Sequence, residues 1–476
     1  MTHPPSAREA LQRALGQPPA PEAAPAPAPV PAPAPVPQQP STRAAVVGRL
    51  RAAATTEPGR LRIIGAVLAF LVLVFGAVTA VEINDRAASA DDVVERSQPL
   101  SADAAGIYRS LADADAAAAS GFLAGPQEPR AVHDQYVKDI EEASRLLVKA
   151  AANTDAATAS GREITTLNEG LPRYTGLIER ARANNRQGLP LGGAYLRYAN
   201  QAMSGELLPA AERLYAAETG RLGQDQSSAR SRPLFSLVAG VVALAVLVWA
   251  QRRNYRRTNR VFNHGLLAAT AATVVLLLWL AVGHTVARSG LAEADSHGQR
   301  PMDVLNRARI DSLKARADEN LTVVARGAVL TADGKNDKYE TDYTAGMKAL
   351  GGELAAAAKL ADDTGDGEGG KPVAAAAEAV KEWQGRHRTA RTTDDAGDYE
   401  SALEQIIGQE NSTGESFKKV DDALRDALAH EQDDFTRAAR DGRGALGGLP
   451  AGAVILAVLG AVAGIVGVNR RLSEFR

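Results

Sequence analysis

The side chains of this sequence that could do chemistry stand in few places. Residues Gly365 to Pro372, GDGEGGKP, meet the G-x-x-x-x-G-K spacing with which a phosphate-binding loop turns backbone amides and a lysine toward phosphate. The Ser or Thr that would hold magnesium after the lysine is replaced by Pro372, and no strand-like run precedes the motif. A glycine-rich turn between two helices is the expectation. Asp362, Asp363, Asp366 and Glu368 offer oxygen ligands of the calcium-loop kind. That loop needs an oxygen at its third position and a glutamate at its twelfth, where Thr364 and Val373 stand, so a solvated turn is expected here too. The 7 histidines show neither H-E-x-x-H nor any paired spacing that would suit a metal. His284, near one end of an apolar run, is read as structural, although ionisable groups within lipid are functional candidates. With no cysteine there is no disulfide, thiol nucleophile or thiolate site. No G-x-S-x-G elbow occurs. The sequence therefore assigns no catalytic residue, no cofactor and no metal ligand.

The elements that position these groups are helical. A net charge of −2 and a pI near 6.4 exclude a basic nucleic-acid-binding face. Aromatic residues make up only 4%, and the alanine-rich, charge-rich remainder suits long helices. Four apolar runs of spanning length divide the chain: residues 61–82, 233–250, 264–287 and 447–468. Between the second and third lies QRRNYRRTNRVFN, residues 251–263. An arginine-rich, acid-free connection this short belongs on the cytoplasmic side by the positive-inside rule. Its Arg252, Arg253, Arg256 and Arg257 are candidate contacts for a cytoplasmic partner or for lipid headgroups. Both termini then lie inside a bacterial plasma membrane. Residues 1–60 form a disordered arm whose Pro/Ala tract has nothing to bury, and residues 469–476 form a short tail.

Residues 83–232 and 288–446 fall outside the cell in this topology. Ile107, Leu111, Ala114 and Ala118 repeat at alternating spacings of four and three, as do Leu167, Leu171, Tyr174 and Ile178. Such seams suit antiparallel helices, and the breaks fall at Gly125-Pro126, Asn153 to Gly161 and Asn184 to Gly193. A fourth seam is read on Tyr195, Tyr198 and Ala202, with Pro209 as a candidate kink. The second region repeats the pattern on Ile310 and Leu313, on Tyr343 and Met347, and on Val373, Val380, Trp383 and His387. Pro99 and Pro301 stand 202 residues apart (301 − 99), and so do Ser110-Leu111 and Ser312-Leu313. The expected fold is all-α: a duplicated unit of span, antiparallel four-helix bundle and span, acting as a monomeric pseudo-dimer or a homodimer. The first and fourth helices of the first region are expected to run into the first and second spans without a turn signal.

Paired helical regions joined to spans resemble the sensor modules of bacterial chemoreceptors. Four spans, tandem external bundles and little cytoplasmic sequence resemble the actinobacterial four-span membrane protein that works with a glutamine-type amino-acid-binding lipoprotein and Ser/Thr protein kinase G. That resemblance implies a non-enzymatic sensor relaying amino-acid availability from the lipoprotein to the kinase. The alternatives are a direct small-ligand sensor and a membrane scaffold in envelope assembly. Candidate docking residues sit at the membrane-distal turns: Gln127, Glu128, Arg130, Asn185 and Arg186 in the first region, with Lys335, Asp337, Asp394 and Asp395 in the second.

Overall fold

The computed structural model describes residues 57–258 and 263–472. The arm up to residue 56, residues 259–262 and the last four residues lie outside the described part, as does the side chain of Arg257. Contacts divide the chain into Met1–Arg60 and Leu61–Arg476. Of the first unit only the opening turn of a helix is described, and the architecture belongs to the second.

Every regular element in the described part is helical: α1 (Glu57–Asp92), α2 (Gln98–Leu123), α3 (Arg130–Asn153), α4 (Ala159–Arg186), α5 (Leu191–Ala202), α6 (Leu208–Ala229) and α7 (Leu234–Thr258) in the first half. The second half has α8 (His264–Ala294), α9 (Arg300–Ala325), α10 (Lys338–Thr364), α11 (Gly367–Asp395), α12 (Tyr399–Ile407), α13 (Thr413–Gly444) and α14 (Leu449–Leu472). Side-chain caps start the helices where the turn residues stand. Thr158 accepts from the Gly161 amide, Asp337 from Glu340, Asp366 from Gly369 and Ser412 from Glu415, each satisfying an orphan amide of a first turn. Gly365, at φ 74°, closes α10 in the left-handed region that a side chain resists.

The spans belong to four helices long and apolar enough to cross a membrane. One side chain from each, Phe75, Ala243, Leu276 and Ala453, meets in a common cluster, while Phe70, Phe235, Leu278 and Ile455 point outward. A Cβ on Gly460 would meet Ala272 at 3.4 Å, and one on Gly464 would meet Ala269 at 3.9 Å. Small residues thus let the last span lie close against the third.

Two helices are unbroken from span to tip: Gly59–Leu123, 65 residues, and His264–Ala325, 62 residues. At 1.5 Å per residue each is a rod of about 95 Å. Each contains one π-helical turn, at Val93–Ser97 and Asp295–Gln299, followed two residues later by Pro99 or Pro301. Proline lacks an amide to donate, and the widened turn absorbs the missing bond without ending the helix. The offset between the two turns is again 202 residues (295 − 93). Pro209 follows a third such turn, Met203–Leu207. It is the second residue of α6, just after the π-turn that joins α5 to α6.

The other two junctions are interrupted, the first of them against the expected continuity. Helix α6 stops at Ala229 and α7 begins at Leu234, with Pro233 between them. Helix α13 stops at Gly444, and Gly448 at φ 76° precedes α14. The first break is held from α1. Arg86, buried, donates to the Ser231 carbonyl at 2.9 Å and the Arg232 carbonyl at 2.8 Å. Glu82, paired with Arg86, accepts the Ser236 amide at 2.8 Å. One acid–base pair thus caps both ends of the interruption. The segment read as a loop over residues 251–263 is mostly helix, because α7 continues to Thr258. Asn263 then caps α8 and donates to the Gly467 carbonyl at 3.0 Å.

The seams are largely buried as read, with one failure. Tyr198 is 57% exposed, and Leu196, Ala199, Met203 and Leu207 face inward in its place. The core does not stop at the boundary between halves. Ile310, Leu313 and Leu321 of α9 share a cluster with Ile107 and Leu111 of α2. Val93 and Leu222 join the cluster built around Trp383, Leu424 and Phe435. Replacing Arg86 by alanine strands two carbonyls and one carboxylate at the α6–α7 break. A loss of about 1–3 kcal/mol is expected, read as a lower melting temperature of the full chain in detergent micelles, with helicity by circular dichroism unchanged before melting.

Candidate functional site

Helices α2 and α9 lie side by side along the middle of the head, and Asn320 of α9 donates to the Ser120 hydroxyl at 2.7 Å. A cavity of about 900 Å³ opens on one flank of this pair, walled by α2, α3, α9 and α13. Its polar lining is charged. Arg309 forks onto Asp421 through Nε at 2.6 Å and Nη2 at 3.3 Å. Arg425 bonds the same carboxylate and also Asp422, at 2.9 Å. Facing them, Gln135 donates to Asp113 at 3.3 Å and to both oxygens of Asp139 at 3.0 Å.

These groups are held in unfavourable company. Burial raises both Asp113 and Asp139 above the usual carboxylate range; Asp421 adds to the first and Asp113 to the second. Two carboxyls so close titrate as a pair and retain a proton where isolated aspartates are ionised. Burial, then the neighbouring Arg309, lowers Arg109 to about 10. Its Nε is buried with no hydrogen-bond partner among the described residues. Arg109 and Asp113 are one turn apart on α2, so a cation and an acid pair share one face. The cleft can take a small charged solute: its anionic group against Arg109, its cationic group against Asp113 and Asp139.

A smaller cavity, of about 460 Å³, opens on the other flank, lined by Tyr108, Lys314, Asp318 and Asp342. Between the flanks each half carries one buried carboxylate on its central rod. Asp115 accepts from Tyr174 at 3.1 Å and from Asn200 at 2.8 Å. Glu319, 204 positions later (319 − 115), accepts from Arg316 at 2.6 Å, His387 at 2.8 Å and Trp383 at 3.1 Å. Burial works against a charge on His387, but its bonds to Glu319 and Glu340 raise it to about 9. A histidine whose folded value is raised stabilises fully below its ordinary value near 6.5. That contribution is lost as pH climbs through about 9.

The sequence-predicted residues lie away from this cleft. Glu128, Arg130, Asn185 and Arg186 come together around a pocket of about 270 Å³ at the first-half tip, with Gln127 exposed beside them. Two of them are bound structurally: Glu128 accepts from Arg182 at 3.0 Å, and Asn185 donates to the Phe122 carbonyl at 2.8 Å. In the second half Lys335 is exposed, Asp337 caps α10, and Asp394 and Asp395 turn back to Arg391. Arg252 and Arg256 are exposed on α7, and Arg253 lies 5.4 Å from the centre of the Trp249 ring. Arg257 falls outside the described side chains. The cleft residues went unread because a charged position on a helix is normally a solvated one. The signal was there only as Arg109 and Asp113 at one-turn spacing beside the Ile107–Leu111 seam.

A family model described as the actinobacterial sensor domain matches residues 89–227, which run from the end of α1 through α6. Searches of curated proteins and of solved structures gave no significant match.

An acid whose folded value is raised costs stability above its ordinary value, and the cost grows with pH until it levels off above the folded one. Asp139→Asn relieves that cost. The variant should melt above the parent at pH 8, by roughly 1 kcal/mol or about 2–4 °C, and the gain should shrink at pH 5. An equal gain at both pH values refutes the paired-acid reading.

Proposed function

We propose that this chain is a membrane sensor whose head changes the relation between its two long rods when a small charged solute enters the cleft beside them. The observations that carry this reading are the buried Nε of Arg109 without a hydrogen-bond partner and the crowded Asp113–Asp139 pair, all lining one cleft whose walls come from both halves. Like-charge crowding and an unsatisfied guanidinium lower stability, and such groups gather where ligands are bound. A solute that neutralises both binds one geometry of the cleft better than another, and that difference is what shifts a conformational equilibrium. Helices α2 and α9 continue into the first and third spans, so a change in the cleft is carried toward the membrane. The match to a sensor domain over residues 89–227 supports the general role. In this proposal the head is a duplicated pair of four-helix bundles outside the cell, and the helix ends around residues 251–263 face the cytoplasm.

A second reading rests on a different observation. Leu189, Leu191 and Leu330 are 46%, 53% and 52% exposed in the tip turns, beside Arg130, Arg186 and Lys335. Apolar groups ringed by cations suit a docking face for an acidic partner. On this reading a solute-binding lipoprotein delivers amino-acid status to the tips, and a cytoplasmic kinase reads the far end.

The two readings separate in one comparison. For direct sensing, purified full-length protein shows ligand-dependent melting in a screen of free amino acids and small carboxylates. A solute at about a hundred times its Kd adds about 2.7 kcal/mol, and Arg109→Ala removes that response. For docking, melting is unmoved, a lipoprotein co-purifies from native membranes, and the Arg130→Glu, Arg186→Glu pair of changes abolishes it. Neither response in full-length protein would leave the scaffold alternative standing.

A further inference from the structure

The turn between α10 and α11 meets α13 at a second polar cluster, remote from the cleft. Asp366 caps α11 through Oδ1, which accepts the Gly369 amide at 2.9 Å. Its other oxygen, Oδ2, lies 3.0 Å from Nε2 of His430. Asp434, one turn beyond His430 on the same face of α13, brings its Oδ2 to 3.6 Å from that nitrogen. One atom from each residue falls within 4.8 Å of the other two. All three side chains are partly open to solvent, between 16% and 30%, which leaves an entry path.

A histidine between two acids is also what a simple ion pair looks like, so the neighbour behind them decides the reading. Glu431 is 4% exposed, and its Oε2 is buried with no hydrogen-bond partner among the described residues. It faces the same hollow: a Cβ on Gly369 would run into Asp366 Oδ2 and stand 3.0 Å from Glu431 Oε1. A buried carboxylate oxygen without a donor costs about 1–3 kcal/mol, more if charged. An imidazolium already shared between Asp366 and Asp434 does not relieve it. A divalent cation does, because it attracts every one of these oxygens at once.

We propose that Asp366, His430 and Asp434, with the buried carboxyl of Glu431 behind them, form a binding site for a divalent transition-metal ion, zinc being the ion best suited. One neutral imidazole with carboxylate oxygens is a zinc-type ligand set, and a histidine-borne site disfavours calcium and magnesium. The supporting bonds are in place: the helix cap orients Asp366, and Arg437 holds the second oxygen of Asp434. A metal here ties the α10–α11 turn to α13, the helix that leads through the Gly444–Leu449 interruption to the last span. The cation would thereby restrain one of the two broken junctions.

The test uses the full chain in detergent micelles after chelator treatment, titrated separately with Zn²⁺, Mn²⁺, Mg²⁺ and Ca²⁺. Zinc should bind at one ion per chain and raise the melting temperature. His430→Gln and Asp434→Asn should each weaken binding about tenfold or more. X-ray absorption of the zinc form of the unaltered protein should give one imidazole nitrogen and otherwise oxygen ligands, a readout independent of whether the variants fold. The site is overturned by absence of zinc binding, by binding of Ca²⁺ or Mg²⁺ in place of zinc, by an all-oxygen shell, or by zinc binding unchanged in both variants.

Discussion

The contact between α2 and α9 is the constraint on which the rest of this molecule depends. Each rod carries a chain of small and medium apolar residues, and the two chains are buried in one another's cluster. Ala105 and Ala112 share the face of α2 that carries Ala116, and Asn320 fixes the register against Ser120. With the rods side by side, the remaining helices of each half can only wrap around the outside. The two cavities are what this wrapping leaves on the flanks. Separation of the halves would expose a shared core, not two finished ones. A ligand between them therefore works against strong apolar cohesion and shifts geometry without splitting the head.

The junctions with the spans are built in two ways, and the difference matters for transmission. Where a rod enters the base, a π-turn lets the helix pass its proline unbroken. Where the return helices enter, proline or glycine ends one helix and a new one starts. A continuous helix transmits displacement, and a break absorbs it. The two breaks are not equivalent. Glu82 and Arg86 clamp the first. Their counterparts at an offset of 202 are His284 and Arg288. Arg288 is exposed, and the His284 ring nitrogens are buried without hydrogen-bond partners. The first break is tied to its own rod, while at the second Arg443 pairs instead with Asp91 and Glu95 of the other rod. The two frames are similar, and the different residues at these positions make their couplings unequal.

What the sequence discloses follows from the range of each interaction. The seams through Leu167, Tyr174 and Ile178, or through Met347, Leu350 and Leu354, are legible because helical periodicity is local and burial follows it. Tyr198 misled because Tyr195, Tyr198 and Ala202 have the same helical spacing as Leu196, Ala199 and Met203 one position on, and it is the second set that is buried. The arginine-rich segment read as a loop is helical because arginine is a good helix former and nothing before Thr258 breaks the run. The cleft was legible only in the one-turn spacing of Arg109 and Asp113. Asp113, Asp139 and Asp421 come from three helices, and each looks alone like a solvated acid. His430 and Asp434 carry the one-turn spacing of a ligand pair, but Asp366 joins them only through the tertiary fold.

The buried charges are better explained by function than by stability. An alanine-rich helical head of this size has enough apolar surface for its core, and a buried ion pair rarely gains over hydrophobic residues of the same volume. Glu319 and Asp115 are exceptions that make structural sense, since the donors around them are fixed side chains, all but Arg316 from a neighbouring helix, and those bonds set helix register. The cleft groups do not fit that pattern. Gln135 is shared by two acids that repel each other, and Arg109 keeps a buried Nε without an acceptor. A network left half satisfied is less stable than either a complete one or none. On the proposed function, a solute bound beside the two rods supplies the missing partners of this network.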